Sequence, residues 1–368
     1  MTLAILGIGT AVPGPFITQT DALNIARALC CRTPEHETWL PTMYHGTGID
    51  SRHICLGADL VRDLLDGTRH SGSVFLPSGT ADDHGPTTEE RMQHYAESAP
   101  PLALDASKSA LEQSGLAASA LTHLITVSCT GFLAPGLDIA LIRGLGLSPT
   151  VQRSHIGYMG CHGAINGLRI ARAFTGADPA ARVLLCAVEL CSVHYHYGWD
   201  PQKMIANAIF GDGAAAVVGV PTSTAKPGAW RIAASGSCLV PNSTDSMTWS
   251  IGNHGFEMTL SKRVPGLIAT HLRPWMESWL HGQGLAVADV ASWAVHPGGP
   301  RILSVVEEAL QLPAKATAAA HTVFGAFGNM SSPTVLFILD RLRREQAPRP
   351  CVALGFGPGL MAEALLLR

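Results

Sequence analysis

Three side chains suited to covalent chemistry stand on glycine-rich turns of a 368-residue chain. Cys161 lies in Tyr158-Met159-Gly160-Cys161-His162-Gly163, His296 in Val295-His296-Pro297-Gly298-Gly299-Pro300, and Asn329 in Phe327-Gly328-Asn329-Met330-Ser331-Ser332. A fourth segment of the same kind is Gly355-Phe356-Gly357-Pro358-Gly359. Together they would supply a nucleophile, a general acid/base or donor, and an amide donor. Each has a plainer reading. A buried cysteine usually acts as a small hydrophobe, and Asn329 alone could be a helix cap. His296 gains from its Pro-Gly-Gly-Pro turn, which reads as exposed loop rather than core. His194 and His196 would share a face of an extended chain, but no cysteine or carboxylate spacing completes a metal set, so no metal is expected. Phe210-Gly211-Asp212-Gly213 reads as a tight turn into a strand, most simply a hairpin.

The elements that must position these residues alternate. Apolar runs ending near glycine, Leu3 to Gly9, Leu121 to Gly131, Val183 to Val188, Trp230 to Gly236, Ala291 to Gly299 and Val352 to Gly359, read as buried strands. Helical patterns at Leu102 to Ser114 and Gly298 to Leu310 lie between them, which predicts an α/β class. His70 to Pro86 reads as a surface loop and Pro221 to Gly228 as a turn or short linker.

The chain also repeats itself. Gly115-Leu116-Ala117 matches Gly284-Leu285-Ala286, Gly160-Cys161 matches Gly328-Asn329, and Val183 to Val188 matches Cys351 to Phe356, all at an offset of 168 or 169 positions. Three collinear matches argue for two related halves. Pairing of the halves would bring two equivalent helix N-termini together, at Cys161 and at Asn329. A helix N-terminus stabilises a thiolate, so the Cys161 pKa is expected below the free value of ~8.5.

Composition narrows the functional class. With 47% hydrophobic and 14% charged residues, the chain buries much of itself and is not disordered. A net charge of −3 without a long basic run argues against a nucleic-acid surface. No apolar stretch is long enough to predict a membrane span, and Met1 to Gly7 lacks the basic start of a signal peptide. Nine cysteines without framework spacing fit a reducing, cytoplasmic setting.

Taken together, these motifs resemble the type III polyketide synthases, the chalcone and stilbene synthase family of thiolase-like condensing enzymes. The resemblance rests on Ile8-Gly9-Thr10-Ala11-Val12-Pro13, Ser128-Cys129-Thr130-Gly131-Phe132 with Pro135-Gly136, Gly160-Cys161, Phe210-Gly211-Asp212-Gly213, Val264-Pro265-Gly266, His296 to Pro300, Gly328 to Ser332 and Gly355 to Gly359. The Ser-Cys-Thr-Gly-Phe form is similar to the bacterial branch.

The resemblance implies a thiolase-like five-layered αβαβα duplicated fold, with residues 1–220 carrying the nucleophilic cysteine and 221–368 carrying the histidine and asparagine. It also implies a homodimer. Cys161, His296 and Asn329 would form the catalytic triad, and Phe210 a gate between the coenzyme A tunnel and the cavity. Cys129, His194, Trp249, Met258 and Ser331 would line that cavity, with Gly298 and Gly299 counted among the substrate-binding residues. The substrates would be an acyl-CoA starter and malonyl-CoA, with no cofactor beyond the coenzyme A thioesters.

Two departures stand out. Relatives carry basic residues ahead of the segment matching Gly48-Ile49-Asp50-Ser51-Arg52, where this chain reads Trp39 to Gly46 without a cation. Arg52 and Arg301 are the candidate replacements, and an acyl carrier protein is an alternative donor. His194 stands where relatives have a small residue. Alternative functions are a single-step 3-oxoacyl-acyl-carrier-protein synthase, which shares Cys, His and Asn, and a non-catalytic binding protein of the same fold.

Overall fold

The computed structural model describes residues 2–80 and 82–368. Met1 of the expected leaderless start and Ala81 of the expected surface loop lie outside the described residues. The first part of the chain runs β1 (Leu3–Ala11), β2 (Phe16–Thr18), α1 (Gln19–Cys30), α2 (Pro34–Tyr44), β3 (Ser51–His53), α3 (Ala58–Asp66) and α4 (Thr88–Ser114). It continues through β4 (His123–Ser128), α5 (Leu137–Leu145), β5 (Gln152–Gly157), α6 (Gly163–Ala177), β6 (Val183–Leu190), α7 (Pro201–Ile209) and β7 (Asp212–Pro221). The second part holds β8 (Trp230–Leu239), β9 (Met247–Gly252), β10 (Gly255–Leu260), α8 (Val264–His281), β11 (Ser292–Val295) and α9 (Pro300–Leu310). It ends with α10 (Ala318–Phe327), α11 (Thr334–Arg344), β12 (Cys351–Gly357) and β13 (Met361–Leu367).

Nine strands form one mixed sheet in the order β11-β12-β13-β8-β1-β7-β6-β4-β5. Counting outward from its centre, β1-β7-β6-β4 on one side is matched by β8-β13-β12-β11 on the other. The repeat seen in the sequence is thus a repeat of strand order. Both members of the first matched pair, Gly115 and Gly284, sit at φ near 70° after a helix, and both members of the second, Gly160 and Gly328, also take positive φ. Such backbone favours glycine, which is why these positions persisted as recognisable pairs. The half-sheets meet where β1 and β8 pair over only three residues, from Leu3↔Ile232 to Ile5↔Trp230.

Strands buried on both faces read as nearly continuous apolar runs, and β4, β6 and β7 are buried throughout. Leu124, Leu184, Cys186, Val188, Ala214 and Ala216 pack with the Ala99, Ala103, Ala106 and Ala110 face of α4. The alternate residues Ile125, Val127, Leu185, Ala187, Ala215 and Val217 face the other way, with Ile165 and Leu168 of α6. Helix α6 touches β4 and β6 on one side and β12 and β13 on the other, while α11 touches β11 and β12 as well as β1 and β7. These two helices make a middle layer between the half-sheets. Helices α8 and α9 cover the second half-sheet from outside, α8 tied to β8 by the Trp279 Nε1 to Ser235 carbonyl bond of 3.2 Å. The result is the five-layered thiolase-like arrangement.

Two local expectations change. The helix expected from Leu102 begins at Thr88, where Thr87 and Glu90 form a capping box, and it continues through Pro100 and Pro101. Proline removes a helix hydrogen bond, but here α4 lies so close on β1 that a Cβ at Gly7 or Gly9 would stand 2.3 or 2.2 Å from its carbonyl oxygens. Tertiary packing outweighs the local preference. The tight turn read at Phe210 does lead into a strand, β7, but it is entered from α7, so the plainer hairpin reading does not hold.

Candidate active site

Cys161 occupies a single helical turn, Gly160–His162, that runs directly into α6. Gly160 has φ of +65°, and a Cβ there would lie 2.5 Å from Cδ of Pro358. A Cβ at Gly357 would lie 2.4 Å from the His162 ring. The terminal Gly-Phe-Gly-Pro-Gly segment is therefore a shelf beneath the Cys161 turn, and its glycines allow that contact. Cys161 is half-buried and opens onto a cavity of about 440 Å³.

Asn329 is fixed by main chain from α7. Its N–H donates to the Ile209 carbonyl at 2.9 Å, and its carbonyl accepts from Gly211 N–H at 3.0 Å. Its side-chain oxygen accepts from Ser331 N–H at 2.7 Å, which leaves the amide NH₂ as the outward donor. Helix α11 starts only at Thr334, so Asn329 is not its cap, contrary to the simple helix-terminus expectation. His296 follows β11, its N–H donating to the Leu354 carbonyl at 2.7 Å. It is 1% exposed, and neither ring nitrogen has a hydrogen-bond partner. A buried imidazole with two unmet nitrogens is costly, and is found where a reacting group is to be received.

The electrostatics differ from the sequence expectation. Burial pushes the Cys161 thiol up to about 11, although hydrogen bonds from Ser331 and Asn329 favour the thiolate. Burial, and then the neighbouring His162, brings His296 down to about 3. Each group is driven to its neutral form, because desolvation exceeds the help from the helix start.

The cavity wall is aromatic and sulfur-rich. His194 accepts from Phe256 N–H at Nδ1 (2.9 Å), so its Nε2–H donates to the Thr130 carbonyl (2.7 Å). Its ring stacks on Phe256 at 4.2 Å and meets Trp249 edge-on at 5.7 Å. Burial holds it neutral, with a pKa of about 3. Trp249 Nε1 donates to the Cys129 carbonyl at 2.7 Å, and Met258 is its cross-strand partner on the β9–β10 hairpin. Cys129, Cys161, His194, Phe210, Trp249, Met258 and Ser331 all line the one cavity.

Models of the chalcone and stilbene synthases match residues 2–221, as the N-terminal domain, and 231–368, as the C-terminal domain. The chain belongs to the chalcone and stilbene synthase family. It is a type III polyketide synthase, an acyltransferase. It is 32% identical to the alpha-pyrone synthesis polyketide synthase-like Pks18 of Mycobacterium tuberculosis, over 99% of this chain and 91% of that protein. It is 30% identical to 1,3,6,8-tetrahydroxynaphthalene synthase of Streptomyces peucetius, over 99% and 93%. PKS-I from the brown alga Ectocarpus siliculosus superposes with a TM-score of 0.91 at 33% identity, covering 100% of this chain and 98% of that one. The C-terminal type III polyketide synthase domain of Steely1 from Dictyostelium gives 0.87 at 26%, covering 100% and 99%.

Not every expected site residue of the synthase joins the cavity. Arg52 is a correction: it is 0% exposed and cannot meet a phosphate. Its guanidinium donates to the carbonyls of Asn207 (3.1 Å), Ala208 (2.6 Å) and Phe210 (2.9 Å), and to Gln19. It is a buried clasp on the C-terminal end of α7, where free carbonyls favour a cation. Gly298, Gly299 and the exposed Arg301 lead into α9 and do not line the cavity. His296 and Asn329 stand behind its surface rather than on it.

Sequence reasoning missed Glu189. Its carboxylate, 0% exposed, accepts from Cys129 N–H (2.9 Å), Thr130 N–H (3.1 Å) and hydroxyl (2.8 Å), and the Ser332 hydroxyl (2.6 Å). It ties the Cys129 loop to the Asn329 segment. A lone carboxylate in the apolar run Val183–Leu190 was the available signal. Also missed was the face of α7 formed by Lys203, Ala206 and Asn207, which with Phe210 follow the i, i+3, i+4, i+7 spacing of one helix side. No helix among the described residues is long and apolar enough to cross a membrane.

Proposed function

We propose that this synthase loads an acyl-CoA starter onto Cys161, extends it by repeated decarboxylative condensation with malonyl-CoA, and cyclises the product to a pyrone or phenol. In this reading Cys161 attacks the starter thioester carbonyl as neutral His296 takes its proton. The bond from the carbonyl to the coenzyme A sulfur breaks, His296 passes the proton to that sulfur, and coenzyme A leaves as the thiol with the acyl group retained on Cys161. Malonyl-CoA then loses carbon dioxide, and the electron pair of the broken bond becomes an enolate whose oxygen is held by His296 and the Asn329 NH₂. The enolate carbon attacks the Cys161 thioester carbonyl, forming the new carbon–carbon bond and expelling the Cys161 thiolate. That thiolate then attacks the lengthened coenzyme A thioester, so that the chain returns to Cys161 as coenzyme A leaves. Decarboxylation itself supplies the nucleophile, so no cofactor is needed.

The observation that carries this reading is the buried His296 with both nitrogens unmet, together with Cys161 opening onto the cavity of about 440 Å³. The two halves, 1–220 and 221–368, divide the work: the first bears the nucleophile, the second the two donors. A homodimer is part of the proposal, and the exposed Phe132, Leu133 and Met159 beside the cavity wall support it. So is a cytoplasmic setting, which nine free thiols favour. The donor is taken as coenzyme A rather than a carrier protein.

The test is incubation of the purified protein with malonyl-CoA and a panel of acyl-CoA starters. Carbon dioxide release and extended products by mass spectrometry are expected, and both should vanish in Cys161→Ala. Absence of product from every starter would sink the proposal.

A further inference from the structure

A coenzyme A thioester brings phosphate groups that need cations, and the structure removes the expected ones. Arg52 is spent on main-chain carbonyls, the Trp39 to Gly46 approach has no lysine or arginine, and Arg301 lies off the cavity. Among the described residues that line the cavity, Lys203 is the one lysine or arginine. It stands in the first turn of α7, while Phe210, at the other end, is bridged to Asn329. They are seven positions apart along the helix and its cap, about 10 Å at 1.5 Å per residue. The wall formed by Lys203, Ala206, Asn207 and Phe210 therefore leads from a cation at the outer end to the triad at the inner end.

Lys203 is held meanwhile by Glu257. The Nζ to Oε2 distance is 2.8 Å, and the two side chains are 29% and 41% exposed. Glu257 belongs to β10, next to Met258, and both line the cavity. A half-exposed ion pair contributes little by itself and can be exchanged for a stronger charge-assisted bond.

We propose that Lys203 is the docking cation for the coenzyme A phosphates, with Glu257 as the partner it leaves when the thioester arrives. This rests on the synthase function proposed above. Kinetics on the full-length protein with malonyl-CoA and with the malonyl N-acetylcysteamine thioester, which carries the same acyl group without phosphates, test it. For Lys203→Ala the KM for malonyl-CoA should rise about 3- to 10-fold relative to that for the truncated thioester, with kcat moving much less than KM. Lys203→Arg should recover most of the difference. Glu257→Gln should lower the KM for malonyl-CoA, and the wild-type preference for malonyl-CoA should weaken as salt is raised.

An equal rise for both thioesters would assign Lys203 to the acyl carboxylate or to wall shape, and would overturn the proposal. So would an unchanged ratio. If the wild type condensed neither thioester, the synthase function itself would fall and this proposal with it.

Discussion

Asn329 is held to the Phe210 turn entirely through main chain: its N–H meets the Ile209 carbonyl at 2.9 Å and its carbonyl meets Gly211 N–H at 3.0 Å. The Phe210 ring takes no part in that hold. The expected gate and the proposed donor are neighbours in space but separable by mutation. Phe210→Ala should keep malonyl-CoA decarboxylation within a few-fold of wild type while altering product length. Asn329→Ala should cost roughly 10²–10³ in decarboxylation rate. Carbon dioxide release and product masses, measured on the same samples, check both.

Arg52 tests the buried clasp. Arg52→Ala leaves the Asn207 and Phe210 carbonyls without a donor, while Ala208 keeps the Gln19 amide, and each unmet buried group costs ~1–3 kcal/mol. A loss of about 2–4 kcal/mol in urea unfolding is expected, with Arg52→Lys intermediate, because an ammonium cannot reach all the acceptors at once. A selective rise in the KM for malonyl-CoA at unchanged stability would return Arg52 to phosphate binding.

The Cys161 thiol, pushed up to about 11 by burial, should be mostly protonated at neutral pH. Its alkylation by iodoacetamide should then climb about tenfold per pH unit from 6 to 9 with no plateau. A plateau reaching below pH 6 would instead reveal a standing thiolate–imidazolium pair, and His296 would be charged at rest.

Acid should destabilise the fold early. Burial lowers His194 and His296 to about 3 and His196 to about 4, against ~6.5 for an unfolded imidazole. Between those values the unfolded chain holds more protons, so stability is full above pH 6.5 and falls as pH drops toward 4. Each proton contributes ~1.4 kcal/mol per pH unit. Glu189 and Asp212, both raised by burial, act in the opposite sense and offset part of the loss. Urea midpoints from pH 8 to pH 4.5 should decline most steeply below 6.5, and a flat profile would contradict the buried neutral histidines.

How much of this could be read from the chain depends on the range of the interaction. The pairs Gly115/Gly284 and Gly160/Gly328 were legible because positive φ is a local demand that glycine meets. Cys161, Asn329 and Phe210 were legible as a set because their motifs resemble a family. The fate of Arg52 was not, since its acceptors lie about 155 positions away and only the folding of α7 against β3 brings them near. Nor was the protonation of Cys161 and His296, which burial decides against the helix start. Pro100-Pro101 concealed the first half of α4 because propensity cannot weigh the pressure of a neighbouring sheet.

The short seam between β1 and β8 gives the middle layer a second meaning. Three paired residues cannot by themselves keep two half-sheets in register; α6 and α11, gripped from both sides, must do it. Cys161 rides at the head of α6 and Asn329 just ahead of α11, so the splint that aligns the halves is also the mount of the proposed reacting groups. A substitution deep in that layer, far from any substrate, would misalign the chemistry before it unfolded the protein.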